Sequence, residues 1–220
     1  HDVGRYPYVT GQFYALREMP LPGEVVPPIY QFPESEDLYD PYRQMPLEES
    51  SNMIIMLEAA MSFGADKSLS EKYLPILERW AQYLDHHGED PEDQLCTDDF
   101  AGHLAHNVNL AAKAIIGMKC YARILERFGK NNAYVWHQKA QVAADRWIER
   151  TASPSGTPLT FDGSGWSMKY NLVWDRVLGL NLFPSTFYET EIASYLNRQN
   201  EFGLPLDCRA DYTKSDWLCW

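Results

Sequence analysis

A chain of 220 residues is long enough to bury a substantial core, but its formal charge of −12 and pI near 4.9 leave no clustered Lys and Arg for nucleic acid or an anionic membrane surface. A small molecule is therefore the expected partner; no apolar run approaches the roughly 18 residues of a membrane-spanning helix, and no signal peptide is read at the opening His1-Asp2, so the sequence does not report its own targeting. Cys96, Cys120, Cys208 and Cys219 form no C-x-x-C pair, which signals neither a zinc site nor a disulfide framework and makes buried free thiols the expectation.

Residues 1 to about 45 are broken by Pro20, Pro22, Pro27, Pro28, Pro33 and Pro41 and read as an irregular N-terminal arm. Residues 46–220 read as one all-α domain. Its first helix is predicted over Leu47–Phe63, apolar on most sides, with Gly64 as a stop. A second opens on the capping box Ser68-x-x-Glu71, shows one stripe through Leu74, Leu77, Trp80, Ala81 and Leu84, and ends near Gly88. The spacing predicts a third, broadly apolar helix from Leu104 to Phe128 and a fourth, amphipathic one from Asn132 to Thr151. A fifth, apolar, is expected over Lys169–Leu180, a sixth from Thr186-x-x-Glu189, and a seventh from Thr213-x-x-Asp216, cut short at Trp220.

Buried and half-exposed helices therefore alternate at a period of about 55 to 65 residues, the pattern of stacked antiparallel hairpins. Asn52, Asn109 and Asn171 fall at similar places in the three buried helices. Buried-to-exposed turns are short and exposed-to-buried connections are long, so the long ones must all emerge at one end. That end is a common mouth, built from the N-terminal arm and the loops 89–102, 152–168 and 201–212. Its densest stretch, CTDDFAGHLAHNVNL at Cys96–Leu110, packs two carboxylates, two imidazoles and two amides into the start of a helix, where peptide dipoles favour ligands.

Several long motifs occur in order: HDVGRYP near the start, QMPLEESSNM at Gln44–Met53, QLCTDDFAGHLAHNVNLAAKAI at Gln94–Ile115, WSMKYNLVWDRVLGLNLFP at Trp166–Pro184 and FGLPLDCRADYTKSDW at Phe202–Trp217. The chain resembles the helical domain of the glutaminase A family through these motifs. The resemblance implies about three hairpins of a six-hairpin (α/α) toroid, a β-rich domain elsewhere in the parent chain, and hydrolysis of L-glutamine to glutamate and ammonia, generally outside the cytoplasm. No cofactor is expected, and the remaining hairpins and β-rich domain of the parent chain, or self-association, are the expected partners.

Amide hydrolysis needs an activated nucleophile, stabilisation of the oxyanion and a proton for ammonia. Asp99 is the expected general acid/base, with Asp98 and His103 as its catalytic neighbours; Thr97 with one of these carboxylates could instead cap a helix. His106, on the same predicted helix start, and Glu49, in the first helix, are candidate substrate contacts, although Glu48 and Glu49 equally suit a helix N-terminus. Lys169, Tyr170, Asn171, Trp174 and Asp175 share an otherwise apolar helix, where those facing the toroid axis would be polar groups without a core partner, so Lys169 and Tyr170 are candidate substrate contacts. Arg209 suits a bidentate grip on a substrate carboxylate and Asp207 an α-ammonium, unless the two belong to a surface ion network. His1 and Asp2 could also point into the mouth. No metal is expected, because the spacing of these groups matches no strong ligand pattern. The rival reading is a toroidal glycoside hydrolase, with Trp166, Trp174 and Trp217 as stacking platforms, or a non-catalytic binding module.

Overall fold

The computed structural model describes residues 45–98 and 101–219. The expected arm, with His1 and Asp2, lies outside the described residues apart from Met45, and so do Asp99, Phe100 and Trp220. The elements are α1 (Pro46–Ser62), α2 (Ser68–His87), α3 (Val108–Arg127), α4 (Ala133–Thr151), a 3-10 turn (Tyr170–Leu172) that runs into α5 (Val173–Val177), α6 (Ser185–Leu196) and α7 (Ser215–Cys219). The protein is all-α: among the described residues no β-strand forms, and loops pair only through isolated bridges.

Three hairpins stack around α3. This helix packs against α1, α2, α4 and the 3-10 turn, and 16 of its 20 residues are buried. Its small residues let neighbours come close: a Cβ on Gly117 would lie 2.8 Å from Leu84 Cδ1 and 3.4 Å from the Ser51 backbone, so a glycine seats α3 between α1 and α2. α2 and α4 bury one stripe each, Leu77, Ala81 and Leu84 in the first and Trp136, Ala140, Ala144 and Trp147 in the second. The expected alternation of enclosed and half-exposed helices is thus present in the packing. At the end opposite the long loops, Glu58 is fully enclosed and pairs with Arg123 at 2.9 Å and Arg127 at 2.8 Å, tying α1 to α3.

Local predictions fail where a backbone break overrides side-chain spacing. The third helix begins at Val108, not Leu104, because His106 takes a left-handed φ of +59° and Asn107 an extended conformation. Asn107 is the N-cap, its Oδ1 accepting from the amides of Asn109 at 3.0 Å and Leu110 at 3.1 Å. The fifth helix reaches only Val177 and starts as a 3-10 turn. Gly179 and Asn181 both adopt positive φ, and Asp175 holds the reversal by accepting from Leu182 N at 2.9 Å and Tyr188 Oη at 2.6 Å. Asp175 is therefore a corner residue rather than a group facing the toroid axis. The capping boxes are also displaced: Asp66 bonds the Ser68 amide at 2.8 Å, α6 starts after Pro184 without a side-chain cap, and α7 starts at Ser215. All four thiols are free, but only Cys96 and Cys120 are buried; Cys208 and Cys219 are exposed, against expectation. Among the described residues no helix is long and apolar enough to cross a membrane.

Candidate functional site

The three long loops join side by side at one end of the hairpins. The loop before α3 meets the loop after α4 through Val108 N to Leu159 O at 3.1 Å and Phe161 N to His106 O at 3.0 Å. That second loop meets the last one through Met168 N to Leu206 O at 2.8 Å and Cys208 N to Trp166 O at 3.1 Å. Side chains close the circuit from the last loop to the first: Arg209 Nη1 donates to Ala101 O at 3.3 Å and Lys214 Nζ to Thr97 O at 3.3 Å. Backbone groups that would otherwise lie orphaned under the mouth are thereby satisfied.

Beneath these loops lies a buried polar cluster. Asp98, 7% exposed, receives on Oδ1 the thiol of Cys96 and, at 3.3 Å, the hydroxyl of Tyr170; its Oδ2 is 3.9 Å from Arg209 Nη2. Burial pushes the Asp98 carboxyl above the usual carboxylate range, and the nearby Glu48 charge adds to this, while the Cys96 bond and Arg209 oppose it. The same burial, with the Asp98 charge beside them, holds the Cys96 thiol and the Tyr170 phenol well above their ordinary values. Neither is an anion at neutral pH, so both serve Asp98 as donors.

Tyr170 is fixed by stacking on Trp217, ring centroids 4.2 Å apart and planes within 4°. Next to this group Glu48, 1% exposed, accepts on Oε1 from Lys113 Nζ, from Thr97 Oγ1 and, at 3.2 Å, from Asn52 Nδ2. Its Oε2 is buried and has no hydrogen-bond partner among the described residues. Asn109 and Asn171, expected at equivalent positions, bond to each other: Asn171 Nδ2 donates to Asn109 O at 3.0 Å, so the 3-10 turn is docked on the start of α3.

The sequence candidates separate into those brought together and those held apart. Asp98, Tyr170, Asp207 and Arg209 converge. Arg209 makes a forked pair with Asp207, Nε to Oδ1 at 3.0 Å and Nη2 to Oδ2 at 2.6 Å, so its guanidinium already holds a carboxylate, and that carboxylate is 2% exposed rather than on the surface. Lys169 is buried one step deeper. Its Nζ donates to Ser167 O at 2.9 Å and Ser167 Oγ at 2.8 Å, and desolvation lowers its pKa to about 8. A network of Tyr195, Glu191 and Thr157 supports its backbone, since Lys169 N donates to Tyr195 Oη, which donates to Glu191 Oε2. Lys169 and Tyr170 also line a cavity of about 860 Å³ beside α6 and α7.

His106 is not part of the cluster. Its left-handed turn places it on the outer wall, where Nδ1 lies 2.8 Å from Asp90 Oδ1 and more than half of the side chain is exposed. His103 is partly buried in the loop ahead of α3, not on the helix, and Glu49 is half-buried in the first turn of α1. Asp99, the expected acid/base, lies outside the described residues. Trp217 is 3% exposed and covered by Tyr170, and Arg198 sits 5.1 Å from the Trp166 ring centroid, so these rings already have partners. Among the described residues no group of three or more His, Cys, Asp or Glu is placed to hold a metal ion.

From the sequence Cys96 was expected only as a buried thiol and Thr97 only as a helix cap, and Lys113 was not singled out. Glu48 with Asn52, and Asn109 with Lys113, are polar pairs spaced i, i+4 inside apolar helices; that spacing puts each pair on one face and could have flagged them.

A family model described as "Glutaminase A six helical-hairpin domain" matches residues 1–220. The chain is 35% identical over 224 residues to "Glutaminase A" of Aspergillus oryzae (strain ATCC 42149 / RIB 40), which covers 98% of this chain and 30% of that protein. It is 31% identical over 178 residues to "Probable glutaminase/05536" of Arthroderma benhamiae (strain ATCC MYA-4681 / CBS 112371), covering 67% of this chain and 21% of that one. The chain therefore spans less than a third of the length of these relatives.

Proposed function

The chain belongs to the glutaminase A family, and from that premise we propose that it supplies one wall of the active site of a hydrolase that converts the side-chain amide of L-glutamine to glutamate and ammonia. The observation that supports this reading is the buried Asp98 carboxyl, its pKa raised by burial, held between Tyr170 and Arg209 where the three long loops meet. A carboxyl whose proton affinity is raised at such a point suits the delivery of a proton to departing ammonia. Asp99, the next residue in the sequence, is proposed to activate the attacking water, with His103 as a supporting group. Arg209 Nη2 lies between Asp207 and Asp98, and a substrate α-carboxylate would displace the long Asp98 contact rather than the short Asp207 bonds. In this proposal Asp207 and Glu49 face the substrate's α-ammonium, and Lys169 acts from below.

The remaining hairpins of the toroid and a β-rich domain are the proposed partners, with self-association as the other way to cover the inner faces; the proposed setting is outside the cytoplasm. A substrate panel tests the reading. The full-length protein is given glutamine, asparagine, γ-glutamyl peptides and oligosaccharides, and ammonia and reducing sugar are measured. Ammonia from glutamine above all other amides, lost in Asp99→Asn, is the expected result. Reducing sugar without ammonia, or unchanged ammonia release by Asp99→Asn, would overturn the assignment.

A further inference from the structure

We propose that Cys96 is a positioning residue for Asp98: its thiol, oriented by the Asn107 side chain at the start of α3, fixes the carboxyl so that Oδ2 is presented to the Arg209 side of the mouth. The inference rests on the proposed amide hydrolysis and adds to it a residue with no assigned role. Three contacts carry it. Asn107 Nδ2 donates to Cys96 Sγ at 3.5 Å, while its Oδ1 caps α3. Cys96 Sγ then donates to Asp98 Oδ1, and Tyr170 Oη donates to the same oxygen at 3.3 Å. Both donors fall on Oδ1, which leaves Oδ2 toward Arg209 Nη2 at 3.9 Å.

The relay ties the orientation of one carboxyl to the first turn of the most deeply packed helix. Asn107 is 3% exposed and cannot turn its amide without releasing two helix N–H groups. Cys96 is 3% exposed, so its thiol has no competing water. An S–H donor is weak and soft. It holds the carboxyl in place while leaving its proton affinity high, where a strong cationic donor would ionise it outright.

The charged and titratable groups around Asp98 are Cys96 in its own loop, Glu48 on α1, Tyr170 on the 3-10 turn and Arg209 on the last loop. Of these, burial and Glu48 raise the carboxyl and the Cys96 bond and Arg209 lower it. Removing the thiol therefore raises Asp98 further. If Asp98 donates the proton, activity falls as pH climbs past its pKa, and the basic limb of the pH profile moves to higher pH in Cys96→Ala.

The test uses the full-length protein with glutamine as substrate and compares Cys96→Ala, Cys96→Ser and the parent. Cys96→Ala is expected to lower kcat by about tenfold or more with KM changed by less than about threefold, as lost orientation predicts. Its basic limb moves up, and Cys96→Ser, which keeps a donor, brings both kcat and the limb back toward the parent. A Cys96→Ala protein that melts earlier but keeps kcat and the limb would show a packing role only and overturn the proposal. Should Cys96→Ala fail to fold, Cys96→Val takes its place as the variant without a donor: a basic limb moved up in Cys96→Val and restored toward the parent in Cys96→Ser supports the proposal, and a Cys96→Val limb and kcat equal to the parent's overturn it. Should the parent release no ammonia from glutamine, the proposed function falls, and the Asp98 carboxyl titration followed by infrared difference spectroscopy still decides the role of Cys96: midpoints identical in parent and variant overturn it.

Discussion

Lys113 of α3 and Glu48 of α1 form an ion pair from which water is almost wholly excluded, their side chains 5% and 2% exposed. The pair joins two enclosed helices directly beneath the mouth and, through Thr97, connects them to the loop that bears Asp98. A buried pair of this kind contributes little relative to apolar residues of equal size, but either partner left alone is costly. Lys113→Met or Glu48→Met should each destabilise the domain by about 3 to 5 kcal/mol, whereas the double replacement should lie close to the parent. A double-mutant cycle from denaturant unfolding checks this, and additive losses would show that the two groups do not depend on each other.

Lys169 gives a pH prediction with a definite sign. Its folded pKa is lowered to about 8 from an ordinary value of 10.5, because burial disfavours the ammonium. Between these two values the unfolded chain holds a proton that the folded chain has released, so stability rises with pH across that window. The contribution is fully present above the unfolded value and is lost as pH falls through about 8. The whole effect amounts to about 3 kcal/mol. Lys169→Met should flatten the stability curve between pH 8 and 10.5, a change that unfolding midpoints measured along that range would reveal.

Asn107 joins helix capping to the site. Asn107→Ala removes the acceptor for the Asn109 and Leu110 amides and should cost about 1 kcal/mol, with Asn107→Asp, which keeps the acceptor, closer to the parent in stability. Hydrogen exchange of those two amides locates the effect: faster exchange confined to the first turn of α3 is expected in the Ala variant.

Gly156 tests the loop after α4. Its φ is +90°, and a Cβ there would lie 2.4 Å from Ser194 Oγ and 3.3 Å from Glu191 Oε1, the carboxylate that binds Thr157. Gly156→Ala should therefore lower the melting temperature and loosen the α6 contact, by more than the fraction of a kcal/mol usual for a surface substitution. A melting temperature equal to the parent's would show that the loop relaxes freely.

Helix alternation and the gathering of long loops were legible in the sequence because both follow from apolar spacing and connection length. The 3.6-residue period of Val108–Arg127 was clear, but the same spacing ran back through Leu104 and concealed the break at His106. Nothing in a histidine announces φ of +59°, and so His106 was read as part of a helix when it belongs to the outer wall. The fifth helix failed for a related reason: Asp175 bonds forward to Leu182 and Tyr188, a tertiary arrangement that no local propensity describes. At the site, the carboxylates and Arg209 stood out by residue type. Cys96 did not, because a lone cysteine signals packing until its neighbours Asp98 and Asn107 are known in space.

The central claim is that the mouth built around Asp98 carries amide hydrolysis, and ammonia release from glutamine by the full-length protein and its Asp98→Asn variant tests it most directly. The amide keeps the shape of the carboxyl and can still meet Tyr170 and Arg209, but it cannot deliver the proton. A kcat lowered by about 10² to 10⁴, with the fold and KM largely retained, is the predicted result. Parent-like release of ammonia by a folded Asp98→Asn protein would contradict it.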